Sequence, residues 1–516
     1  MIANDIIDVL VVGAGPTGST LALDLARRGV SVRIIDRNAH GFPGSRAKGI
    51  QPRSLELLED LGVLDDMLSS GSHYPPLGIH VGPFTWPKRM FKLAKPTDSI
   101  PYPNTWLIPQ FATDAIIQKK LMPLGLGIEY NTQLISLSQD AQGVSVEVEG
   151  PSGLQTLRAR YVVGADGGSS KVRHSLGIAF SGKTDEADRM LIIDCRVEGL
   201  SRNRWHIWPG LGGRFAGACP LPNSDLFQVM IRLSPDEEPL MDDNALISRF
   251  CKQTGSKKLQ LSDIRWKTIF RPNIRLAEKY REGRVFLAGD AAHVHTPMGA
   301  QGLNTGIQDA YNLGWKLGQV LAGAPEVLLD SYEDERRPIA ARVLGMSTAK
   351  YEALGKFDSS SIKRGEDEKQ LLITYRSGPL GAGKSQATKQ LNVGDRAPDA
   401  RFRDAQGRSV RLFELTRGPH FTLLAYGPSA VKETAAVAWP SGGASLKKII
   451  INSSVHADQC LYDVDGAFES GYGIEQDTLI LIRPDGYIAQ IANADRIAAI
   501  ARVANLVAPT LTDPAR

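Results

Sequence analysis

The chain has 516 residues, 42% hydrophobic and 22% charged, which is enough for about three domains of ordinary size with their own cores. Its net charge is only +4 and its basic residues are interspersed with acids, which argues against nucleic-acid binding. No apolar run approaches the roughly 20 residues that span a bilayer. The short N-terminal apolar run at 6–12 is typical of a buried strand rather than a signal peptide. We therefore expect a cytoplasmic protein without membrane contact.

A β-α-β pattern at residues 6–36 is typical of dinucleotide binding. The first apolar run ends in the glycines Gly13, Gly15 and Gly18, a helical pattern follows, and the next run ends at Asp36. Gly13 allows a tight turn, Gly15 allows a pyrophosphate to approach the backbone, and Gly18 allows close packing of helix on strand. The pyrophosphate would then lie at the positive end of the helix dipole. Asp36 can accept hydrogen bonds from an adenosine ribose and disfavours a 2′-phosphate, which predicts FAD or NAD at this site.

Two later segments repeat the order of strand, turn and helix. The first delivers Asp166 to a turn, and the second ends in Gly289 and Asp290, followed by a Gly-rich loop at 297–302 and an apolar-striped helix from Leu303. Asp290 can accept a hydrogen bond from a ribityl hydroxyl. The free N–H groups of the helix would face the N1/C2 region of a flavin, where the reduced ring carries negative charge. One ligand long enough to reach both the first and the last turn is FAD.

The intervening and following segments predict three further units. Residues 181–275 alternate as strands and predict a β-sheet inserted into the nucleotide-binding domain, which is therefore split into 1–180 and 276–355. Residues 356–391 are rich in Ser, Gly, Lys and Glu and predict a linker. Residues 392–516 resume an α/β pattern. The four cysteines are far apart and form no C-x-x-C pair, which argues against a disulfide framework, a dithiol centre or a zinc site.

Taken together, the three motifs GAGPTG (13–18), GADGGSSKVR (164–173) and GDAAHVHTPMGAQGLNTGIQDAYNLGWKL (289–317) resemble those of the single-component (class A) FAD-dependent aromatic hydroxylases. Within them, the chain is most similar to the polyketide, hydroxyphenylpropionate and phenol hydroxylases. The resemblance covers about residues 5–350. Residues 392–516 resemble the thioredoxin-like domain of that subgroup, without its redox cysteine pair. The fold it implies is α/β: a Rossmann-like FAD-binding domain of the para-hydroxybenzoate hydroxylase type, with an inserted substrate sheet and a C-terminal domain of structural or oligomeric role.

The resemblance also implies which residues bind FAD. These are Gly13, Gly15, Thr17, Gly18, Asp36, Arg37, Arg46, Lys48, Gln110, Asp166, Gly289, Asp290, Pro297, Gly299, Gln301, Gly302, Leu303 and Asn304. The inserted sheet should form a wall of the substrate site, because aromatic side chains can stack on a flat substrate. Its candidates are Trp205, Trp208, Phe215, Met230 and Phe270, with Pro297 on the flavin side.

The implied reaction is the hydroxylation of a phenolic or polyketide-type aromatic by FAD, with O2 and with NADPH or NADH as a transient co-substrate. The resemblance implies that a hydroperoxide at flavin C4a delivers the oxygen, so most of the chemistry belongs to the cofactor. No motif identifies a general base, and no catalytic side chain is assigned. A homodimer is possible. A Baeyer–Villiger or epoxidising monooxygenase of the same fold stays open, as does a non-catalytic flavin-fold binding module.

Two further patterns point to other chemistry but lack its context. Residues 378–385 match the P-loop pattern, yet too few residues follow before Asn392 for the helix that a P-loop needs. His293 and His295 flank one residue and have no third ligand at metal-binding spacing, so no metal site is expected.

Overall fold

The computed structural model describes residues 6–508 apart from 91, 211–213, 257, 297–298, 356–364, 381–386, 453–459 and 475–476. The first half contains β1 (Ile7–Val12), α1 (Pro16–Ala26), β2 (Val32–Ile35), β3 (Gly49–Ile50), α2 (Pro52–Asp60), α3 (Leu64–Ser70), β4 (Ser72–His73), β5 (Leu77–Val81), β6 (Phe84–Lys88), β7 (Trp106–Leu107), α4 (Gln110–Lys119), β8 (Ile128–Glu129), β9 (Gln133–Gln139), β10 (Val144–Gly150), β11 (Gly153–Gly164), α5 (Lys171–Ser175), β12 (Phe180–Thr184), β13 (Met190–Glu198), β14 (Trp205–Pro209), β15 (Phe215–Pro220), β16 (Phe227–Arg232) and α6 (Asp243–Thr254). The second half contains β17 (Gln260–Phe270), β18 (Asn273–Ala277), β19 (Arg281–Glu282), β20 (Val285–Leu287), β21 (His293–Val294), α7 (Gly302–Leu321), α8 (Asp330–Gly355), β22 (Arg401–Arg403), β23 (Ser409–Arg411), α9 (Leu412–Thr416), β24 (Phe421–Tyr426), α10 (Pro428–Glu433), β25 (Leu446–Ile451), β26 (Cys460–Leu461), α11 (Ala467–Tyr472), β27 (Thr478–Ile482), β28 (Ile488–Ala492) and α12 (Arg496–Val507).

The nucleotide-binding domain is built on a parallel sheet. Its strand order is β20-β11-β1-β2-β8, all pairs parallel, with β19 at one edge and the antiparallel strands β9 and β10 continuing from β11. Strands buried on both faces need continuous apolar sequence, and Val9, Leu10 and Val11 are fully buried. The carboxyl ends of β1, β11 and β20 carry the three predicted motifs. Because parallel strands end at one edge of the sheet, motifs far apart in sequence meet there.

A second, seven-stranded sheet lies beside this domain, in the order β17-β13-β16-β15-β14-β5-β6. The predicted insert, 181–275, supplies five of the strands, and β5 and β6 come from a Pro-rich and aromatic segment of the first half. One face of the sheet is a closed core under α6, with Leu246 and Phe250 buried against it. The opposite face, here called the inner face, points towards the nucleotide-binding domain.

The C-terminal unit is a five-stranded sheet in the order β26-β25-β24-β27-β28, flanked by α10, α11 and α12. Strands β24, β25 and β26 are parallel, while β27 and β28 run antiparallel to them. None of the four cysteines, all of which lie in the described parts of the chain, forms a disulfide, and Cys460 of this unit is buried. None of the described helices is long and apolar enough to cross a membrane.

The segment predicted to be a linker is partly built into the fold. One of its described parts, 365–380, places Gln370 and Tyr375 in the interior, where they hydrogen-bond to Gln308 and Arg336 on α7 and α8. Polar composition misled the prediction, since these polar groups are buried with partners rather than solvated. Residues 381–385 of the P-loop-like pattern lie outside the described residues.

Candidate functional site

The turn after β1 has the shape of a phosphate cradle. Gly13 has φ +104°, and a Cβ there would stand 2.4 Å from the Ala165 carbonyl oxygen, while a Cβ on Gly18 would stand 1.9 Å from the Gly13 carbonyl oxygen. Both positions therefore need glycine for packing. A Cβ on Gly15 would meet nothing within 4 Å, and Gly15 caps α1 without a side-chain hydrogen bond. Open space in front of free N–H groups at a helix start fits a pyrophosphate.

Asp36 is fixed at the edge of this cradle. Its carboxylate accepts hydrogen bonds from the backbone N–H of Ala14 (2.8 Å) and the N–H of Asn38 (2.9 Å). A carboxylate has about four acceptor positions, so it can still accept hydrogen bonds from a ribose. The neighbouring Arg37 is exposed.

Thr17 locks the helix of the first motif against the third motif. A Cβ added at Gly289 would stand 2.5 Å from Thr17 Oγ1, and one at Gly306 of α7 would stand 2.3 Å from the same atom. The Thr17 side chain therefore packs in the space that two glycines leave. This contact brings the starts of α1 and α7 together at one place.

The turn that carries Asp290 is held from below by buried charges. Asp309 of α7 accepts hydrogen bonds from Gly289 N (3.1 Å), His293 Nε2 (2.7 Å) and Arg336 Nε (2.7 Å). Burial opposes ionisation, but Arg336 and His293 hold the pKa of Asp309 below its ordinary value. Asp309 thus fixes the backbone just before Asp290.

Arg46 and Asp290 face each other across the front of the site. Arg46 Nη2 lies 3.6 Å from Asp290 Oδ2, and the two side chains are 56% and 37% exposed. They come from segments almost 250 residues apart. Because both remain accessible, they can exchange this loose contact for hydrogen bonds to a ligand.

Two other candidates already form hydrogen bonds within the chain. Asn304 accepts a hydrogen bond from Gln51 N and donates to the carbonyls of Gly49 and Ala300, which fixes the loop before α7. Gln301 is buried and donates to the carbonyls of Gly299 and Glu368. Their side chains position the loop, whereas the half-exposed Gly302 and Leu303 at the start of α7 present backbone to the site.

Asp166 likewise serves its own turn. Its carboxylate accepts hydrogen bonds from Ser170 Oγ (2.5 Å) and from the backbone N–H of Lys171 (2.7 Å) at the start of α5. Arg173 of that helix donates to the carbonyl of Ala291 (2.8 Å), beside Asp290. The second motif thus anchors the third.

Gln110 and Asp114 form a polar pair on α4 that sequence reasoning described only in part. Gln110 Oε1 lies 3.4 Å from Ala47 N, and its Nε2 lies 3.4 Å from Asp114 Oδ2. Asp114 Oδ1 is buried without a partner. Burial, with a contribution from Asp36, raises the pKa of Asp114 to about 8. A lone carboxylate inside an amphipathic helix gave no sequence signal of this environment.

The inner face of the seven-stranded sheet is the candidate substrate wall. Register places the half-exposed Ile207 and Met230 on either side of Gly217, with Phe215 and Phe270 two positions further along their strands on the same face. A Cβ on residue 217 would stand 3.2 Å from Ile207 Cδ1. Because Gly217 has none, the surface beside Ile207 stays open. Trp205 lies on this face as well.

The prediction for Trp208 is wrong. Trp208 points to the opposite face, where it is buried, stacks on His80 at 4.5 Å and meets Phe250 of α6 edge-on at 5.7 Å. Side chains alternate along a strand, so Trp205 and Trp208, three residues apart, must face opposite sides. This rule requires the exact limits of the strand, which the sequence alone does not define.

Lys48 is the second departure from expectation. Its ammonium points away from the cradle to the inner face, where it donates a hydrogen bond to Gln228 Oε1 and lies 4.4 Å above the ring of Trp205. Burial lowers the pKa of Lys48. The predicted cofactor contact is therefore a residue of the substrate side. The contact with the loop before α7 is made by the next residue, Gly49.

Pro297 lies outside the described residues. His293 and His295 stack in parallel with ring centroids 6.2 Å apart, and burial lowers the pKa of His295 to about 4. Within the described parts of the chain, no group of three or more His, Cys, Asp or Glu side chains could hold a metal ion.

Comparison with known proteins gives a consistent result. Residues 6–347 match the family model "FAD binding domain", and residues 390–511 match "Aromatic-ring hydroxylase, C-terminal". A flavin-dependent monooxygenase of Mycobacteroides abscessus is 39% identical over 95% of this chain and 98% of its own. The 12-dehydrotetracycline 5-monooxygenase/anhydrotetracycline 6-monooxygenase of Streptomyces rimosus is 31% identical over 94% and 95%. The structure of aklavinone-11 hydroxylase with FAD and aklavinone has a TM-score of 0.81 at 27% identity, covering 98% of this chain and 99% of the other.

Proposed function

The chain belongs to the FAD-dependent aromatic-ring hydroxylases, which are flavin monooxygenases, and from that membership we propose that it hydroxylates a multi-ring phenolic substrate bound on the inner face. The family membership also confirms the predicted cofactor and the predicted fold class.

The observation that carries the substrate size is the extent of the inner face. Its partly exposed apolar side chains run from Phe270 on β17 to Ile207 on β14, four strand intervals apart. Neighbouring strands are about 4.8 Å apart, so this surface is about 19 Å wide, much longer than one six-membered ring. The tetracycline-type and aklavinone substrates in the relatives' names are also multi-ring compounds, which supports the proposal.

We propose that FAD binds with its pyrophosphate at Gly15 and the start of α1, its ribose at Asp36, and its ribityl chain between Arg46 and Asp290. The ring would then lie against the backbone of Gly302 and Leu303. The glycine cradle, the uncapped helix starts and the accessible ion pair fit such a ligand. When bound and reduced by NAD(P)H, FAD with dioxygen supplies the oxygen that enters the ring.

The chain's own residues then have defined tasks. The start of α7 stabilises negative charge on the ring through its free N–H groups. The inner face orients the aromatic substrate and excludes water with Ile207, Met230 and Phe215. Asn304, Gln301 and Asp309 hold the loop rigid, so that the two partners meet in one geometry. The homodimer and the cytoplasmic location remain predictions.

The test is a panel of phenols of increasing size with the FAD-loaded protein. We expect hydroxyanthraquinones and related multi-ring phenols to accelerate NAD(P)H oxidation with a lower KM than single-ring phenols, and to yield a product with one added hydroxyl. Gly217→Val should raise KM for the multi-ring compounds selectively, because its side chain would enter the inner face beside Ile207. A preference for single-ring phenols would contradict the proposed substrate size. A ring-expanded product would instead identify the Baeyer–Villiger alternative.

A further inference from the structure

Lys48 is a buried cation at the boundary between the proposed flavin site and the inner face. It is 9% exposed. The next residue, Gly49, is so close to the loop before α7 that an added Cβ would stand 2.7 Å from the Cβ of Ala300. Asn304 donates to the Gly49 carbonyl (2.7 Å), so this approach is fixed. The lysine therefore extends from the flavin side onto the substrate side.

Within the described residues, no carboxylate is in direct contact with the ammonium. Asp194 is the nearest acid on β13, but its two oxygens accept hydrogen bonds from Ser45 N (2.7 Å) and Ser45 Oγ (2.5 Å). Cys219 on β15 is fully buried, and burial raises the pKa of its thiol. Among the described residues, Lys48 forms no ion pair with a carboxylate; its ammonium hydrogen-bonds to the amide oxygen of Gln228 and to the Cys219 side chain.

A second donor at the same place has no hydrogen-bond acceptor. The indole Nε1 of Trp205 is buried without a hydrogen-bond partner, and this is the ring that Lys48 Nζ contacts at 4.4 Å. Buried donors in native proteins are generally paired, so the unpaired indole N–H beside a cation without a carboxylate partner indicates a missing acceptor. An anionic oxygen of a ligand would satisfy both.

We propose that Lys48 binds the phenolic oxygen of the substrate in its ionised form, with the Trp205 N–H as a second donor. This rests on the proposed function. The phenol O–H bond breaks, its proton leaves to water, and the phenolate stays paired with the ammonium. An ionised oxygen makes the ring electron-rich, which is what electrophilic hydroxylation requires. Burial lowers the pKa of Lys48, and the interactions of its ammonium with Cys219 and Asp194 partly offset this effect. An anionic partner would favour the charged lysine further.

The experiment measures the ionisation of a coloured phenol bound to the FAD-loaded protein. Alizarin, a dihydroxyanthraquinone, absorbs at longer wavelength when ionised, so its pKa can be read from a pH titration of the bound form. We expect the wild type to lower that pKa by at least one unit, a tenfold shift. Lys48→Met should abolish the shift, Lys48→Arg should retain it, and the exposed Lys183→Met is the matched control that should leave it unchanged.

Each outcome decides a different statement. An unchanged shift in Lys48→Met, with FAD still bound, would overturn the role of Lys48 and leave the proposed function standing. No binding of alizarin or any other phenol by the wild type would overturn the proposed function. Should Lys48→Met fail to retain FAD, Lys48→Gln keeps a donor for Gln228 without the charge and must also lose the shift.

Discussion

Asp290 is the residue on which the proposed flavin geometry depends most. Its carboxylate is 37% exposed and has only the loose contact with Arg46. If it binds the ribityl chain, Asp290→Ala removes a charge-assisted hydrogen bond of about 1.5–3 kcal/mol. We expect FAD affinity, titrated by flavin fluorescence, to fall about 10- to 100-fold. Asp225→Ala is the control, since Asp225 is an exposed, ion-paired carboxylate in the connection between β15 and β16. Equal FAD affinity in both variants would show that Asp290 does not bind the ribityl chain.

Glu335 gives the stability of the protein a specific dependence on pH. It is fully buried and paired with Arg483 (2.7 Å) and Lys316 (2.8 Å). Burial raises its pKa, but these two cations outweigh burial and hold the pKa at about 2, below the ordinary 4.5. Because the folded pKa is depressed, the ionised group stabilises the fold above pH 4.5, and this contribution is lost as the pH falls towards 2.

We therefore expect Glu335→Gln to be about 3–5 kcal/mol less stable at pH 7, because it leaves buried cations unpaired. The difference in the free energy of unfolding between this variant and the wild type, measured by urea denaturation, should become smaller at pH values below 4.5. Glu352→Gln, on the exposed side of the same helix, should differ little from the wild type throughout. A stability difference between Glu335→Gln and the wild type that stays constant down to pH 3 would contradict the claim that ionised Glu335 stabilises the fold.

Residue roles were harder to predict than residue positions. The motifs located Asp290, Asp36 and Gly15 because glycine spacing and strand ends are visible in sequence. Gln301 and Asn304 stand in the predicted loop, yet their side chains bind backbone of their own chain. Which way a polar side chain points depends on acceptors supplied by segments about 70 or 250 residues away, and no local pattern encodes that.

At the scale of elements, the packing of α1 on α7 holds the site together. A Cβ at Gly306 would stand 2.3 Å from Thr17 Oγ1 and 3.2 Å from the Cα of Gly289. We expect Gly306→Ala to lower stability by about 1–3 kcal/mol, as overpacking does, and to weaken FAD binding by displacing α7. Thermal denaturation and flavin titration of the same samples measure both effects.

Gly345→Ala is the matched control for this packing. Gly345 lies inside α8, and a Cβ there would meet nothing within 4 Å. Alanine in a helix interior should stabilise the protein by roughly 0.5–1 kcal/mol with FAD affinity unchanged. Similar losses in both variants would mean that helix propensity, and not the α1–α7 contact, determines the result.

The elements themselves followed from sequence where the pattern was long and regular. The first β-α-β unit and α7 were predicted because apolar periodicity and glycine turns coincide. Strands β5 and β6 were missed, since Pro87 and the exposed Phe84 and Trp86 obscure the alternation at the edge of a sheet. The prediction for Trp208 is wrong for a related reason. The face of the sheet on which a side chain lies depends on strand register, and register is set by the neighbouring strands.

At the scale of the whole molecule, the C-terminal unit supports the flavin helix. Arg483 and Asp485 of its sheet reach α7 and α8, where Asp485 accepts a hydrogen bond from Trp315 Nε1 (3.1 Å). Arg396 pairs with Glu56 of α2 (2.8 Å). Trp315 lies in the second half of α7, several turns from the loop before Gly302. Composition showed a separate α/β unit, but it could not show that the interface is polar and buried.

Truncation after residue 389 should therefore affect more than solubility. It would expose Trp315 and leave Lys316 and Glu335 without Arg483, so we expect a large fall in thermal stability and loss of bound FAD. Arg401→Ala, which breaks a half-exposed pair with Asp98 and an exposed hydrogen bond to Ser409, should leave both unchanged. A truncated chain that folds and retains FAD like the full chain would contradict this supporting role.

The central claim is that the FAD-loaded chain inserts one atom of dioxygen into a multi-ring phenol at the expense of NAD(P)H. Incubation with NAD(P)H, a hydroxyanthraquinone and isotopically labelled dioxygen, followed by mass spectrometry, tests it most directly. The account predicts one product with a single labelled oxygen as a new ring hydroxyl, formed in proportion to the NAD(P)H consumed. NAD(P)H oxidation that releases only hydrogen peroxide across the whole panel of multi-ring phenols, or a product oxygen derived from water, would contradict it.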